Sequence, residues 1–179
     1  MDMNIKVLDC TLRDGGYINN WNFKDEHIEK ILLALIKAKI DVIEVGYLND
    51  KGLEHNSTLI KNTYKIDSII RKLNIGEDIY KVAMINYGDF SLQQLPTSDK
   101  CLLDGIRLAF HKDKFDEAIE YAKEIQNLGY GVFFQPMVTK KYSDAEFLKA
   151  IEKANKLKPE AFYIVDSFGS MNLQEFKKY

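Results

Sequence analysis

Residues 25–47 read DEHIEKILLALIKAKIDVIEVGY, and this stretch joins a helix pattern directly to a strand pattern. Its first part predicts a helix over Asp25–Lys39, because acidic residues open it, lysines close it, and its apolar residues recur on one helical face. Those apolar residues are Ile28, Ile31, Leu32, Leu35 and Ile36. The apolar run Asp41–Tyr47 that follows is typical of a strand buried on both faces. The pair indicates one unit of an α/β fold.

The same alternation extends in both directions along the chain. Further strands are predicted over Ile5–Leu12, Tyr80–Tyr87, Gly105–Phe110, Gly131–Met137 and Ala161–Ser167. Further helices are predicted over Thr58–Leu73, over Lys114–Leu128 with Gly129 as the C-cap, from a capping box at Ser143–Glu146 to about Lys156, and from Asn172, with a short weakly helical segment ending near Leu95. Such alternation predicts right-handed βαβ units and a parallel sheet.

Two architectures fit six strands in this order. One is a (β/α)₈ barrel of which the first six units are present, and the other is an open doubly wound parallel sheet. We expect a single catalytic-type domain over residues 1–179, the N-terminal part of a barrel that is incomplete at its C-terminus.

Composition narrows the class of function. A formal net charge of −2 argues against a nucleic-acid partner, and no apolar run reaches membrane-spanning length. Cys10 and Cys101 have no CxxC spacing, so neither a disulfide framework nor a zinc ribbon is indicated. The N-terminus lacks a signal-peptide pattern, which predicts a cytoplasmic location. The glycine motifs of dinucleotide and P-loop sites are absent.

Polar residues follow the predicted strands at their carboxyl ends, where α/β folds build their sites. They are Arg13, Asp14, Gly15, Gly16 and Tyr17 after the first strand, then Glu44, Tyr47, Asn86, Tyr87, His111, Gln135, Thr139, Asp166 and Ser167. Structural alternatives stay open: Arg13–Asp14 as an ion pair, Glu44 in a buried salt bridge with Arg107, His111 as a loop residue, and the glycines as a tight turn.

The string DCTLRDG, Asp9–Gly15, resembles the first-strand signature of a superfamily of metal-dependent lyases and synthases that handle pyruvate. The superfamily includes 4-hydroxy-2-oxovalerate aldolase, hydroxymethylglutaryl-coenzyme A lyase and isopropylmalate synthase. The best resemblance is to the 4-hydroxy-2-oxovalerate aldolases, and it runs over essentially the whole chain. It continues in IEVG at Ile43–Gly46, RLAFH at Arg107–His111 and VDSFGSM at Val165–Met171.

The resemblance implies a barrel that cleaves a 4-hydroxy-2-oxo acid to pyruvate and an aldehyde through a pyruvate enolate. It implies that Arg13 stabilises the enolate oxygen and that Asp14 ligates Mg²⁺ or Mn²⁺, hard cations suited to carboxylate and keto oxygens. With the strand-end pattern, it makes Arg13, Tyr17, Glu44 and His111 the predicted catalytic residues. Substrate binding is predicted for Arg13, Gly15, Gln135, Asp166 and Ser167.

Two features depart from the pattern of these aldolases. Tyr17 stands where they carry a histidine that serves as acid or base, and an unperturbed tyrosine, with a pKa of about 10, is a poor base at neutral pH. The family's His-x-His metal pair on the seventh strand has no counterpart among His27, His55 and His111.

These departures leave other functions open beside the aldolase. One is an acyl-coenzyme A lyase or condensing enzyme of the same superfamily. Another is a non-catalytic descendant that binds a small acid or a partner. The expected partners are a small 2-oxo acid, with no nucleic acid and no membrane, and a second copy of the chain or a partner dehydrogenase.

Overall fold

The computed structural model describes residues 5–179, and residues 1–4 of the predicted domain lie outside it. Strands and helices alternate along the described chain. The strands are β1 Leu8–Asp9, β2 Val42–Leu48, β3 Leu59–Ile60, β4 Tyr80–Asn86, β5 Gly105–Phe110, β6 Gly131–Pro136 and β7 Ala161–Phe162. The helices are α1 Thr11–Asp14, α2 Gly16–Asn19, α3 Asp25–Lys37, α4 Thr63–Leu73, α5 Phe115–Asn127, α6 Asp144–Leu157 and α7 Leu173–Phe176.

All strand pairs of the described sheet are parallel. The order is β1-β2-β4-β5-β6-β7, with β3 paired to β2 outside that path. The order therefore rises steadily across the sheet, whereas a doubly wound sheet reverses at a switch point. The six strands curl into a half-barrel, which confirms the barrel prediction over the open-sheet alternative.

The longer helices pack on the outer face of the sheet because each has one apolar face. Helix α3 buries Ile28 and Leu32 completely, and α5 presents Ala118, Ala122 and Ile125 with no exposed area. The small alanines let α5 approach the strands closely. Together with the outward side chains of the strands, these residues form one continuous core.

Helix ends follow the predicted signals. The side chain of Ser143 accepts from the Glu146 amide and the Glu146 carboxylate accepts from the Ser143 amide, which confirms the capping box at α6. Lys158 ends α6 in the left-handed conformation, directly before Pro159. Gly129 follows α5 at φ +93°, a conformation that glycine adopts without strain.

Side chains on the inner face of the half-barrel form three layers. At the amino ends of the strands lies an apolar cluster of Val42, Val82 and Phe133. At the carboxyl ends lies a second apolar cluster of Tyr47, Met84 and Ala109, with Trp21, Leu59 and Met137 packed against it. Between them lie the buried polar side chains of Glu44, Arg107 and Gln135. The middle level of the inner face is thus polar.

The first strand is much shorter than the predicted Ile5–Leu12. The side chain of Asp9 accepts from the amide and the hydroxyl of Thr11, both at 2.9 Å, and the Asp14 amide donates to the Cys10 carbonyl at 2.8 Å. These bonds turn the chain into α1 directly after Asp9. The prediction that the first strand continues to Leu12 was therefore wrong, because local side-chain hydrogen bonds outcompete the sheet, and Arg13 and Asp14 lie in α1.

The predicted helix Thr58–Leu73 is also divided. It begins at Thr63, capped by the side chain of Asn62, which accepts from the Tyr64 amide. Before it, Leu59–Ile60 forms β3 and pairs with Tyr47–Leu48. Leu59 lies within the range predicted as helix and instead packs beside Tyr47.

The last predicted strand, Ala161–Ser167, keeps only its first two residues as β7. Asp166 and Ser167 lie in the loop that follows. The weakly helical segment before Leu95 is a 3₁₀ turn at Leu92–Gln94. In the described part of the chain no helix is both long enough and apolar enough to cross a membrane.

Candidate active site

Arg13 and Asp14 lie side by side because α1 places them in one helical turn at the carboxyl end of the half-barrel. The Arg13 side chain is 10% exposed and the Asp14 side chain is 63% exposed, so the first points into the barrel while the second stays at its mouth. Arg13 Nη1 donates to Asp14 Oδ1 at 2.7 Å. The ion pair left open by the sequence is therefore present.

Glu44 is the centre of the buried polar layer. Its side chain has no exposed area, and its two oxygens accept from two different arginines. Arg13 Nε donates to Oε1 at 2.9 Å, and Arg107 Nη1 donates to Oε2. The salt bridge with Arg107 is thus present, and Glu44 touches Arg13 as well. A buried carboxylate in this position fixes the orientation of Arg13.

Arg107 extends the layer across β5 to β6. Its Nη2 donates to Gln135 Oε1 at 2.7 Å, and its guanidinium carbon lies 5.1 Å from the centre of the Tyr163 ring. Its Nε is buried with no hydrogen-bond partner among the described residues. Gln135, predicted to bind substrate, is buried, and its side-chain carbonyl oxygen accepts from Arg107.

The charges of this layer do not cancel inside the barrel. Two guanidinium groups meet one buried carboxylate, and the second carboxylate, that of Asp14, lies at the exposed edge. Burial raises the pKa of Glu44, while Arg107 and Arg13 oppose that rise. Burial also raises the pKa of the Cys10 thiol, with the charge of Glu44 adding to it. Excess positive charge next to a mouth is suited to an anionic ligand.

Tyr17 and Trp21 lie directly above Arg13. The Trp21 indole Nε1 donates to the Arg13 carbonyl at 3.1 Å, and the Trp21 ring meets the rings of Tyr17 and Tyr47 edge-on, at 4.9 and 5.7 Å between centroids. Tyr17 is 57% exposed. The sequence marked Tyr17 but missed Trp21, whose signal was a large aromatic residue shortly after the RDGG turn.

The two glycines after Asp14 are required by close approach. A Cβ on Gly16 would lie 2.0 Å from the Trp21 ring, and a Cβ on Gly15 would lie 2.8 Å from the Thr11 carbonyl oxygen. Gly15 has φ −59°, so its conformation is an ordinary one. Gly15 was predicted to bind substrate; the contacts of the described residues show only that it keeps α1 and α2 close.

His111 does not join the buried layer. It is exposed, directly after β5, and its carbonyl accepts from the Lys114 amide at 2.9 Å in the following 3₁₀ turn. Its side chain has no hydrogen bond to Arg13, Glu44 or Arg107 among the contacts of the described residues. The structure thus gives it no contact that supports a catalytic role over the loop role left open by the sequence.

Asp166 and Ser167 hold the loop after β7. The carboxylate of Asp166 accepts from the amides of Met171 and Ser170, and these bonds lower its pKa. Ser167 Oγ accepts from the Val138 amide at 2.9 Å. Val138 has φ +54°, which a β-branched residue rarely adopts, so this bond stabilises a strained turn at the end of β6. Both side chains predicted to bind substrate are thus occupied by backbone amides, Asp166 within its own loop and Ser167 at Val138.

Asp14 offers one hard oxygen ligand for a divalent cation. Its exposed side chain remains accessible to a hydrated ion, which fits the predicted role. Within residues 5–179, however, no group of three or more histidine, cysteine, aspartate or glutamate side chains is placed to hold an ion. Asp14 alone would bind a metal weakly, so further ligands must come from bound substrate, from water or from residues beyond those described.

Comparison with known proteins fits this arrangement. A family model described as HMGL-like matches residues 4–179, nearly the whole chain. The chain belongs to the HMGL-like family. This confirms the resemblance that was based on Asp9–Gly15 and the later motifs.

Curated relatives of this HMGL-like chain carry several enzyme names at low identity. A 4-hydroxy-2-oxovalerate aldolase of Geobacillus genomosp. 3 is 24% identical over 96% of this chain and 51% of its own length. A homocitrate synthase of Pyrococcus abyssi is 27% identical over 95% and 47%, and an oxaloacetate decarboxylase of Mycobacterium tuberculosis is 23% identical over 97% and 51%. The chain spans about half the length of the curated relatives it matches.

A solved structure is also similar. It is the crystal structure of the N-terminal domain of a Bacteroides vulgatus protein provisionally named as an aldolase. The TM-score is 0.77 and the identity 32%, over 97% of this chain and 58% of that chain. The half-barrel is therefore a fold already seen in a solved protein.

Proposed function

We propose that this chain carries the enolate-stabilising half of a carbon–carbon lyase that cleaves a 4-hydroxy-2-oxo acid to pyruvate and an aldehyde. The observation that carries the proposal is the arrangement of Arg13, which the fully buried Glu44 holds by Nε at 2.9 Å. Its Nη1 is used by Asp14, and no described residue accepts from its Nη2. A fixed guanidinium whose Nη2 has no acceptor is suited to bind an oxyanion.

The reaction needs this donor at one atom. When the proton of the C4 hydroxyl leaves and the C3–C4 bond breaks, the electron pair of that bond moves onto the C2 oxygen as an enolate. Protonation at C3 then gives pyruvate. Arg13 lowers the barrier because its donor is already positioned where the negative charge forms, and Glu44 prevents its reorientation.

The other members of the proposal have narrower roles. A divalent cation held by Asp14 would supply Lewis-acid polarisation of the keto group. Tyr17, exposed at the mouth, is proposed to relay the departing proton to solvent. Arg107 and Gln135 keep Glu44 in place and balance its charge. Roles for His111, Gly15, Asp166 and Ser167 in contact with substrate, a cytoplasmic location, and partners other than the 2-oxo acid stay predictions.

Exchange of the pyruvate methyl protons with deuterated solvent, followed by NMR in the presence of Mg²⁺, tests the proposal without the aldehyde. Arg13→Lys keeps the charge but loses the fork, so we expect exchange to slow by about 10²–10³-fold, or roughly 3–4 kcal/mol. Arg71→Lys, at an exposed position of α4, is the matched control. Equal rates in wild type and Arg13→Lys would remove Arg13 from the reaction. No exchange in wild type would favour the non-catalytic alternative.

Calorimetric titration of Mn²⁺ with and without pyruvate tests Asp14. We expect weak binding alone and tighter binding when pyruvate is present, since the oxo acid would complete the ligand set. Asp14→Asn should abolish that gain. Asp78→Asn, at an exposed position before the amino end of β4, should keep it. A gain that survives in Asp14→Asn would place the metal elsewhere.

A further inference from the structure

One side of the mouth is aromatic and rigid. We call Tyr17, Trp21 and Tyr47 the aromatic wall. The Trp21 ring packs between the other two rings, its indole donates to the Arg13 carbonyl, and its own carbonyl accepts from the Thr58 amide at 3.0 Å. Because Gly16 has no side chain, the Trp21 ring can lie directly against its backbone.

The backbone beneath the wall is strained. Asn20 and Trp21 have φ +55° and +56° in succession, and a bulky residue such as tryptophan rarely adopts this conformation. Such strain persists where the surrounding contacts impose it. Backbone strain at Asn20 and Trp21 thus accompanies the placement of the indole beside the Arg13 carbonyl.

The opposite side of the same level is apolar as well. Met84, Ala109 and Met137 pack with Tyr47 and Trp21 in one apolar cluster. The cluster lies at the carboxyl ends of the strands, beyond the level of Glu44 and Arg107. Two polar atoms of the wall already have partners, since the Tyr47 hydroxyl donates to Asp89 and the Trp21 indole donates to the Arg13 carbonyl, while the Tyr17 hydroxyl lies at the exposed rim. Ile18, 90% exposed next to Tyr17, continues the apolar surface at the rim.

A substrate held at Arg13 by its C2 oxygen would extend outward past this level, with its carbon atoms from C4 onward against Tyr17 and Trp21, the accessible rings of the aromatic wall. A charged end group there would lose water and find no partner within the cluster, whereas an apolar chain would be buried favourably.

We propose that the aromatic wall is the subsite for the aldehyde half of the substrate and selects an uncharged, apolar chain of several carbons or an aromatic ring. This inference rests on the proposed function, since it uses the same anchor at Arg13. It separates this chain from enzymes that act on oxo acids with a second carboxylate.

Two six-carbon probes that differ only at the far end test the selection. Both 2-oxohexanoate, which ends in a methyl group, and 2-oxoadipate, which ends in a carboxylate, lack the 4-hydroxyl and cannot be cleaved. Calorimetry on the protein that carries this chain, with pyruvate as a third ligand, gives the affinities. We expect 2-oxohexanoate to bind about tenfold or more tightly than either 2-oxoadipate or pyruvate.

Variants at Tyr17 locate the subsite, because this exposed ring can be changed without disturbing the core. Tyr17→Ala should reduce the preference for 2-oxohexanoate by about threefold or more, and Tyr17→Phe, which keeps the ring, should retain it. Tyr64→Ala removes a tyrosine that is 80% exposed on α4 and should also retain it. Trp21 is the only tryptophan of the chain, so quenching of its fluorescence by 2-oxohexanoate would place the ligand at the wall.

The outcomes separate the inference from the function. Pyruvate that binds, together with equal or tighter binding of 2-oxoadipate, would overturn the apolar subsite and leave the lyase proposal standing. A preference that is unchanged in Tyr17→Ala would overturn the wall's role in it. If none of the three acids binds, the proposed function fails and the subsite fails with it.

Discussion

Two buried cationic groups of the half-barrel are held in different ways. At the amino end, Lys81 Nζ lies 2.8 Å from Asp104 and donates to the Ile79 carbonyl at 3.0 Å. At the mouth, Arg107 leaves Nε without a partner among the described residues, and Arg13 keeps Nη2 open. Both regions bury a cation on the same sheet. Only the mouth leaves donors unused, which is the mark of a site prepared for a ligand.

The carboxylates differ in the same way. Asp104 has a side chain that is 36% exposed, so water can solvate it if its partner is lost. Glu44 has no exposed area and serves two arginines. The amino-end pair is therefore replaceable and the mouth cluster is not. Burial alone therefore does not identify a site. Hydrogen-bond donors without an acceptor, next to buried charges, do.

The largest effect is expected for Glu44→Gln. It keeps the shape but leaves two buried guanidinium groups without their shared counter-charge, so unfolding free energy should fall by roughly 3–5 kcal/mol. Urea unfolding followed by circular dichroism measures this. Glu117→Gln, in an exposed pair with Lys114, should cause no measurable change.

The contrast between the two regions fails if Glu44→Gln and Glu117→Gln change the free energy of unfolding equally. If Glu44→Gln is as stable as Glu117→Gln, the charge of Glu44 makes no net contribution to the free energy of unfolding. If the folded Glu44→Gln protein, measured without urea, no longer exchanges the pyruvate protons, this result would support a role of Glu44 in positioning Arg13.

Much of the fold could be predicted from the sequence, since periodicity and turn signals reveal the helices and strands. The helix faces of α3 and α5 and the capping box at Ser143 were correct because each depends on residues close in sequence. The curled sheet followed from alternation together with the resemblance, and the Glu44–Arg107 contact was foreseen as an alternative.

What failed depended on partners far along the chain or on local competition. Asp9 turned the predicted first strand into α1, and pairing with β2 drew Leu59 out of the predicted helix. Trp21 and Gln135 gained their positions from residues on other elements, to which no local spacing points. Asp166 looked like a ligand residue because a carboxylate that caps a loop has the same sequence signal as one that binds substrate.

A smaller effect is expected at the amino end, from Lys81→Met. The methionine fills a similar apolar volume and removes the cation, while Asp104 can turn to water. The lost hydrogen bonds to Asp104 and to the Ile79 carbonyl should cost about 1–2 kcal/mol, less than half of the loss in Glu44→Gln. Because Lys81 lies at the end of the barrel opposite Arg13, pyruvate proton exchange should stay at the wild-type rate. The same urea and NMR measurements apply. A slowed exchange with intact stability would tie the amino end to the reaction, and a loss of stability as large as that of Glu44→Gln would show that the two cations are held alike after all.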